Sequence, residues 1–186
     1  MSKESLISIL SNKTNSLSIF DKQFENENIE AEIIECSWFE NINFHNCSFI
    51  NCDLLGLNFQ NCSFINCDFN KTIIRKSDLA NCKFINCRFL NCRLSPRVFW
   101  FETITFRGCK FLRVNFTESY FFKSEFEQNY FANITLDNTC FIEVKMLDNI
   151  FENLRSSSEN PVKIYKSVED FYLKKPVVKN ELFPEL

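Results

Sequence analysis

Large apolar residues recur at every fifth position along most of this chain. Walking in fives from Phe24 to Phe99, the positions hold only Phe, Ile or Leu, among them Phe44, Phe49, Phe64, Phe69, Phe84 and Phe89. The register then slips by two residues. It resumes at Phe106 and runs through Phe111, Phe116, Phe121, Phe126 and Phe131 to Phe151 without a polar residue. Two residues before each of these sits a column of mostly small residues, including Cys47, Cys52, Cys62, Cys67, Ser77, Cys82, Cys87, Cys92, Cys109 and Ser119. The position between the two columns is mostly polar: Asn43, Ser48, Asp53, Ser63, Asp68, Lys83, Arg88 and Arg93.

Two inward positions with an outward one between them is the periodicity of a strand. It lasts only three residues. Asn then recurs, at 46, 51, 61, 66, 81, 86 and 91, and Asn tolerates turn geometry. Each unit of five therefore predicts a short strand and a corner, and four units close a square coil. Stacked coils would sit about 4.8 Å apart, with Phe and Leu filling the interior. A period of five matches no helix, and no Asn-Gly or Asp-Gly turn signals hairpins.

The units Cys62-Ser63-Phe64-Ile65-Asn66, Cys67-Asp68-Phe69-Asn70-Lys71 and Cys82-Lys83-Phe84-Ile85-Asn86 resemble those of the pentapeptide-repeat family. The resemblance implies an all-β fold, a right-handed quadrilateral β-helix. This chain departs from the commonest form by using Cys where Ala is usual and Phe more than Leu. Family members that confer quinolone resistance bind DNA gyrase, with a rod that resembles a duplex in size and charge. The resemblance thus implies a topoisomerase as one candidate partner, but no residue of this chain can be matched to a gyrase-contacting loop.

The repeat divides the chain into an N-terminal cap or tail at 1–21, the β-helix at 22–153 with a register break near 95–105, and a linker and helical segment at 154–186. In the first, Leu6, Ile7 and Leu10 would line one face of a short helix. In the last, Ser167 reads as an N-cap, with Glu169 and Asp170 in the first turn and Lys174 and Lys175 in the last. The open ends of a solenoid need covering. Short helical caps and a homodimer through the C-terminal segment are the two ways to supply it. The break, around Pro96, is either a bulge absorbed at a corner or a loop that presents Trp100.

The net charge is −3 over 186 residues, too mild to dictate a polyionic partner. Its distribution is banded. Acids dominate at 21–35 and again at 118–152. Bases dominate at 70–113, where Asp78 and Glu102 are the acids. Lys83, Arg88 and Arg93 lie one unit apart, so they occupy successive faces as a belt. With Arg97 and Trp100 they form the candidate partner-binding set. Mimicry of a duplex needs extended acidic faces, and this belt counts against it and against a topoisomerase partner.

With 2 Gly there is no Gly-rich phosphate loop, and 1 His excludes any site needing two. The cysteines stand five apart on successive faces, unlike paired zinc ligands. They read as buried, reduced thiols packing as small hydrophobes. His45 and Cys47 would point to different surfaces. The expectation is a non-enzymatic, protein-binding scaffold or regulator with an unnamed protein partner. A purely structural or stress role is the alternative. No catalytic residue, metal or cofactor is expected, and neither nucleic acid nor membrane is an expected partner. The N-terminus reads as a poor signal peptide, and the expected location is the cytoplasm.

Overall fold

In a computed structural model the chain winds into a four-sided parallel β-helix. The structure describes residues 5–11, 16–95, 103–174 and 176. Almost every strand is three residues long, with its central residue inward and its flanks outward. Seven strands stack on the second face, from Gln23–Glu25 to Lys145–Leu147, and seven on the third, from Asn28–Glu30 to Ile150–Arg155. The first face carries Ser18–Phe20 up to Asp78–Ala80 and then Tyr120–Phe122, Cys140–Ile142 and Lys163–Tyr165. The fourth carries Ile33–Glu35 to Arg93–Ser95.

Register follows from the sequence period. Ser63 pairs with Lys83 and Asp68 with Arg88, twenty residues apart. Across the break the spacing widens: Lys83 pairs with Thr105 and Arg88 with Lys110. It then returns to twenty, Thr105 pairing with Glu125. Pairing on the second and third faces thus continues across the break, whereas the first- and fourth-face sheets end at Asp78–Ala80 and Arg93–Ser95. Residues 96–102 themselves, with Pro96, Arg97 and Trp100, lie outside the described residues.

Every described central residue from Phe24 to Phe141 is buried. The rings form two continuous stacks. Phe44, Phe64, Phe84 and Phe106 follow one another at 4.7, 4.6 and 4.9 Å between centroids. Phe49, Phe69, Phe89, Phe111 and Phe131 do the same at 5.0, 4.8, 4.9 and 4.6 Å. The stacks meet edge to face, as between Phe64 and Phe69 at 62°. Each such pair adds about 0.5–1.5 kcal/mol beyond the area it buries.

Corners repeat one conformation. The second residue after each centre has positive φ: Asn46 at 53°, Asn51 at 55°, Asn66 at 54° and Asn86 at 53°. Asn is favoured there because its short side chain eases the left-handed region. Successive corners also bond to one another, Asn66 Nδ2 to Asn46 Oδ1 at 3.3 Å and Asn46 Nδ2 to Asn26 Oδ1 at 3.3 Å. Both glycines of the chain, Gly56 and Gly108, occupy this same corner position.

Stacked strands reach beyond 22–153 at both ends. Ser18 pairs with Trp38, placing Ile19 as a further buried centre. Lys163 pairs with Cys140 at a spacing of twenty-three, which a walk in fives cannot follow. At the N-terminal end helix α1, Leu6–Ser11, lays Leu6 and Leu10 on the open coil, both buried in the main core. Ile7 is 43% exposed, so the covering face is built from Leu6 and Leu10 with Ile9 and not from Ile7. Residues four apart on a helix share a face, and Ile7 lies off it.

The C-terminal helix α2, Val168–Tyr172, behaves differently. Ser167 caps it, accepting the Asp170 N–H at 3.0 Å. The helix stops at Tyr172, so Lys174, with φ 53°, lies past its last turn. It packs against the side of the rod. Val168 and Phe171 meet Phe122, Cys140, Ile142 and Tyr165 of the first face. Among the described residues the last coil's inward side chains, Met146, Phe151, Leu154 and Ile164, remain half-buried. No described helix is long and apolar enough to cross a membrane.

Candidate interaction surface

Among the described residues the interior is closely packed, with two internal cavities of about 10 Å³ each lined by Phe, Leu, Ile and Met side chains. The cysteines of the small column belong to this interior, and Cys36 is the exposed one. All ten are free thiols. Each buried sulfur of the column sits against backbone carbonyls. Cys92 Sγ approaches Phe69 O at 3.2 Å, and Cys87 Sγ approaches Phe64 O at 3.2 Å. Thr72 Oγ1 donates to Phe49 O at 2.8 Å, and Ser119 Oγ to Leu94 O at 2.6 Å. At each of these positions a small donor serves the carbonyl of a central residue one coil below.

Burial pushes the Cys92 thiol up to about 11, and it raises Cys52 and Cys140 as well. Such thiols are poor nucleophiles. His45 ends the strand Asn43–His45. Cys47 Sγ meets the His45 backbone carbonyl at 3.5 Å. Among the described residues no three His, Cys, Asp or Glu side chains gather as metal ligands.

The outer surface carries the charge. Lys83, Arg88 and Arg93 are exposed, each at the first position of its strand, on the second, third and fourth faces. They therefore girdle one coil and do not form a flat patch. Their states differ. Arg88 grips Asp68 with both Nε, at 3.1 Å, and Nη2. Arg93 Nε reaches Ser95 Oγ at 3.4 Å. Lys83 has no ion-pair partner among the described residues. Arg97 and Trp100, the other two candidates, lie outside the described residues.

Elsewhere charges stack in pairs one coil apart: Arg107 with Glu127 at 2.7 Å and Lys145 with Glu125 at 2.7 Å. Exposed pairs of this kind contribute about 0–1 kcal/mol each. Sequence reasoning saw the bands and missed these pairs, although a spacing of twenty would have found them.

The sequence model of the pentapeptide repeat region matches residues 42–101. The chain carries a pentapeptide-repeat region. No curated protein matches it. Among solved structures, full-length QnrB1, a plasmid-mediated fluoroquinolone resistance protein, is similar at 16% identity and a TM-score of 0.28. The match covers 83% of this chain and 99% of that one. The pentapeptide repeat protein Rfr23 from the cyanobacterium Cyanothece 51142 is similar at 7% identity and a TM-score of 0.35, over 76% of this chain and 88% of that one. HetL, involved in heterocyst differentiation regulation in Nostoc sp. strain PCC 7120, is similar at 11% and 0.23, over 82% and 94%. At these scores the likeness carries no argument. The repeat region's own register and corners establish the fold.

Proposed function

We propose that this chain is a non-enzymatic protein-binding scaffold whose partner engages the basic belt. The observation that carries the reading is Lys83 with Arg88 and Arg93, exposed on three successive faces of one coil. A filled interior leaves the outer surface to do the work, and a rod of stacked strands holds surface groups at fixed spacing. Complementarity favours an acidic protein that wraps partly around the rod. Lys83 and Arg93 are the principal contacts. Arg88 contributes less because Asp68 already neutralises it.

Acidic side chains do not run along one face. Glu25, Glu30, Glu35 and Glu40 end strands on four successive faces and ring the N-terminal coils. A ring beside a basic belt is a poor likeness of a duplex, so a topoisomerase is not the partner proposed.

The test is a quantitative pull-down from extract of the source cell, with wild type beside a Lys83→Glu, Arg93→Glu variant. Enrichment of one acidic protein on wild type, lost on the variant while the melting curve is unchanged, supports the reading. Equal recovery on both baits overturns the belt as the site.

A further inference from the structure

The fourth face is less regular above Arg93. Asn115 is joined to Arg93 below and Thr135 above by isolated bridges. A cleft of about 420 Å³ opens there, lined by Arg113, Val114, Asn115, Asn133, Thr135 and Arg155. The coil register assembles it. Thr135 pairs with Arg155 and bridges to Asn115, while Arg113 and Asn133 are corner residues of successive coils.

The charged side chains of this lining are both cationic, and its neutral polar side chains can all donate. Asn115 Oδ1 accepts the Thr117 N–H at 2.7 Å, and Asn133 Oδ1 accepts Asn153 Nδ2 at 3.5 Å. Each amide oxygen accepts one bond within the fold, and each NH₂ remains to donate. Arg113 Nε donates to Asn91 Oδ1 at 2.7 Å, which steadies the guanidinium and leaves its terminal nitrogens. Arg155 has no side-chain partner among the described residues. No carboxylate lines the cleft. Two acids nearby in sequence accept bonds elsewhere: Glu152 from the Tyr130 hydroxyl at 2.7 Å, and Asp137 from the Ser157 N–H at 2.7 Å.

Two guanidinium groups with neutral amide and hydroxyl donors match the planar or tetrahedral oxygens of an anion. We propose that this cleft is an oxyanion site, taking a phosphoryl or carboxylate group between Arg113 and Arg155. It involves neither Lys83 nor Arg88, and it borders the belt where Asn115 bridges to Arg93. The group has two sources, free phosphate or the side chains of an acidic peptide.

The experiment titrates the ¹⁵N-labelled full chain at low salt with inorganic phosphate and, separately, with hexaglutamate. The expected result is saturable shifts centred on Asn115, Thr135 and Arg155. Arg113→Gln and Arg155→Gln should each weaken binding about tenfold, a loss of about 1.4 kcal/mol. Arg155→Lys, which keeps charge but loses the fork, should fall between wild type and Arg155→Gln. Tighter binding of hexaglutamate identifies an acidic chain as the source, and tighter binding of phosphate identifies the free anion. Both arginines are exposed, so melting curves should not move. The absence of saturable shifts with either probe, or undiminished binding in the Arg113→Gln, Arg155→Gln variant, would overturn the proposal. If that double variant fails to fold, the wild-type shifts decide: shifts confined to this lining support the site, and shifts scattered over the rod refute it.

Discussion

The sulfur of Cys92 lies 3.2 Å from the carbonyl oxygen of Phe69 in the coil below. The hydroxyl of Thr72 makes the equivalent contact with Phe49 O at 2.8 Å, one coil earlier on the same corner. Small size is thus only half of what this column supplies, because its members also donate. Thr72→Val keeps the shape and removes the donor. It should cost about 1–2 kcal/mol in urea denaturation, whereas Cys92→Ser should stay within about 1 kcal/mol of wild type. A Thr72→Val protein as stable as wild type would show that the column is selected for volume alone.

The corners give a second prediction. Ala31 holds φ at 55°, a conformation that favours glycine. Ala31→Gly should therefore stabilise the protein by about 1 kcal/mol. The two native glycines should respond in the opposite sense and unequally. A Cβ on Gly56 would find Cys36 Sγ at 3.9 Å, an ordinary contact, so Gly56→Ala bears only the backbone cost. A Cβ on Gly108 would meet Asn86 Oδ1 at 2.5 Å. Gly108→Ala must also displace that amide and should be the more destabilising in thermal melts.

Position along the rod should grade the cost of core truncation. Phe84 is 1% exposed, stacked between Phe64 and Phe106. Phe84→Ala should lose about 3–5 kcal/mol, and Phe84→Asp, a buried charge without a partner, should not fold. Met146, half-buried in the last coil, should lose about 1 kcal/mol or less on change to Ala. A soluble Phe84→Asp protein with native melting would contradict the register.

Alkaline pH should weaken the fold through the thiols. Cys92 is held at about 11 by burial, against about 8.5 for a free thiol in the unfolded chain. The folded state therefore favours the protonated form. That stability is fully present below about pH 8.5 and is lost as pH rises toward 11. Denaturant midpoints at pH 7, 9 and 10.5 should fall in that order, and a Cys92→Ser variant should fall less steeply. A midpoint that does not change above pH 9 would contradict the burial of these groups.

Much of this was legible in the sequence, for a physical reason. The coil has a fixed length, so inward residues return at a fixed interval, and the walk from Phe24 to Leu94 marked every strand centre in turn. The slip before Phe106 likewise anticipated the widened pairing of Lys83 with Thr105. The donor role of the small column was not legible, because Cys, Ser and Thr share both size and hydrogen-bonding capacity. Nor was the side-on docking of Phe171 against Tyr165, which depends on outward residues of the first face that follow no period. The belt was legible as Lys83, Arg88 and Arg93. What the reading by bands passed over was that Asp68, one coil below at a spacing of twenty, already occupies Arg88.

A closed interior underlies the whole functional account, since it confines recognition to the outer surface. Native-state alkylation with mass counting measures it directly. At pH 8 a brief exposure to iodoacetamide should add one label per chain, at Cys36, and all ten should label once the chain is denatured. Rapid native labelling at Cys47, Cys67, Cys87 or Cys92 would contradict the closed core and the scaffold reading built on it.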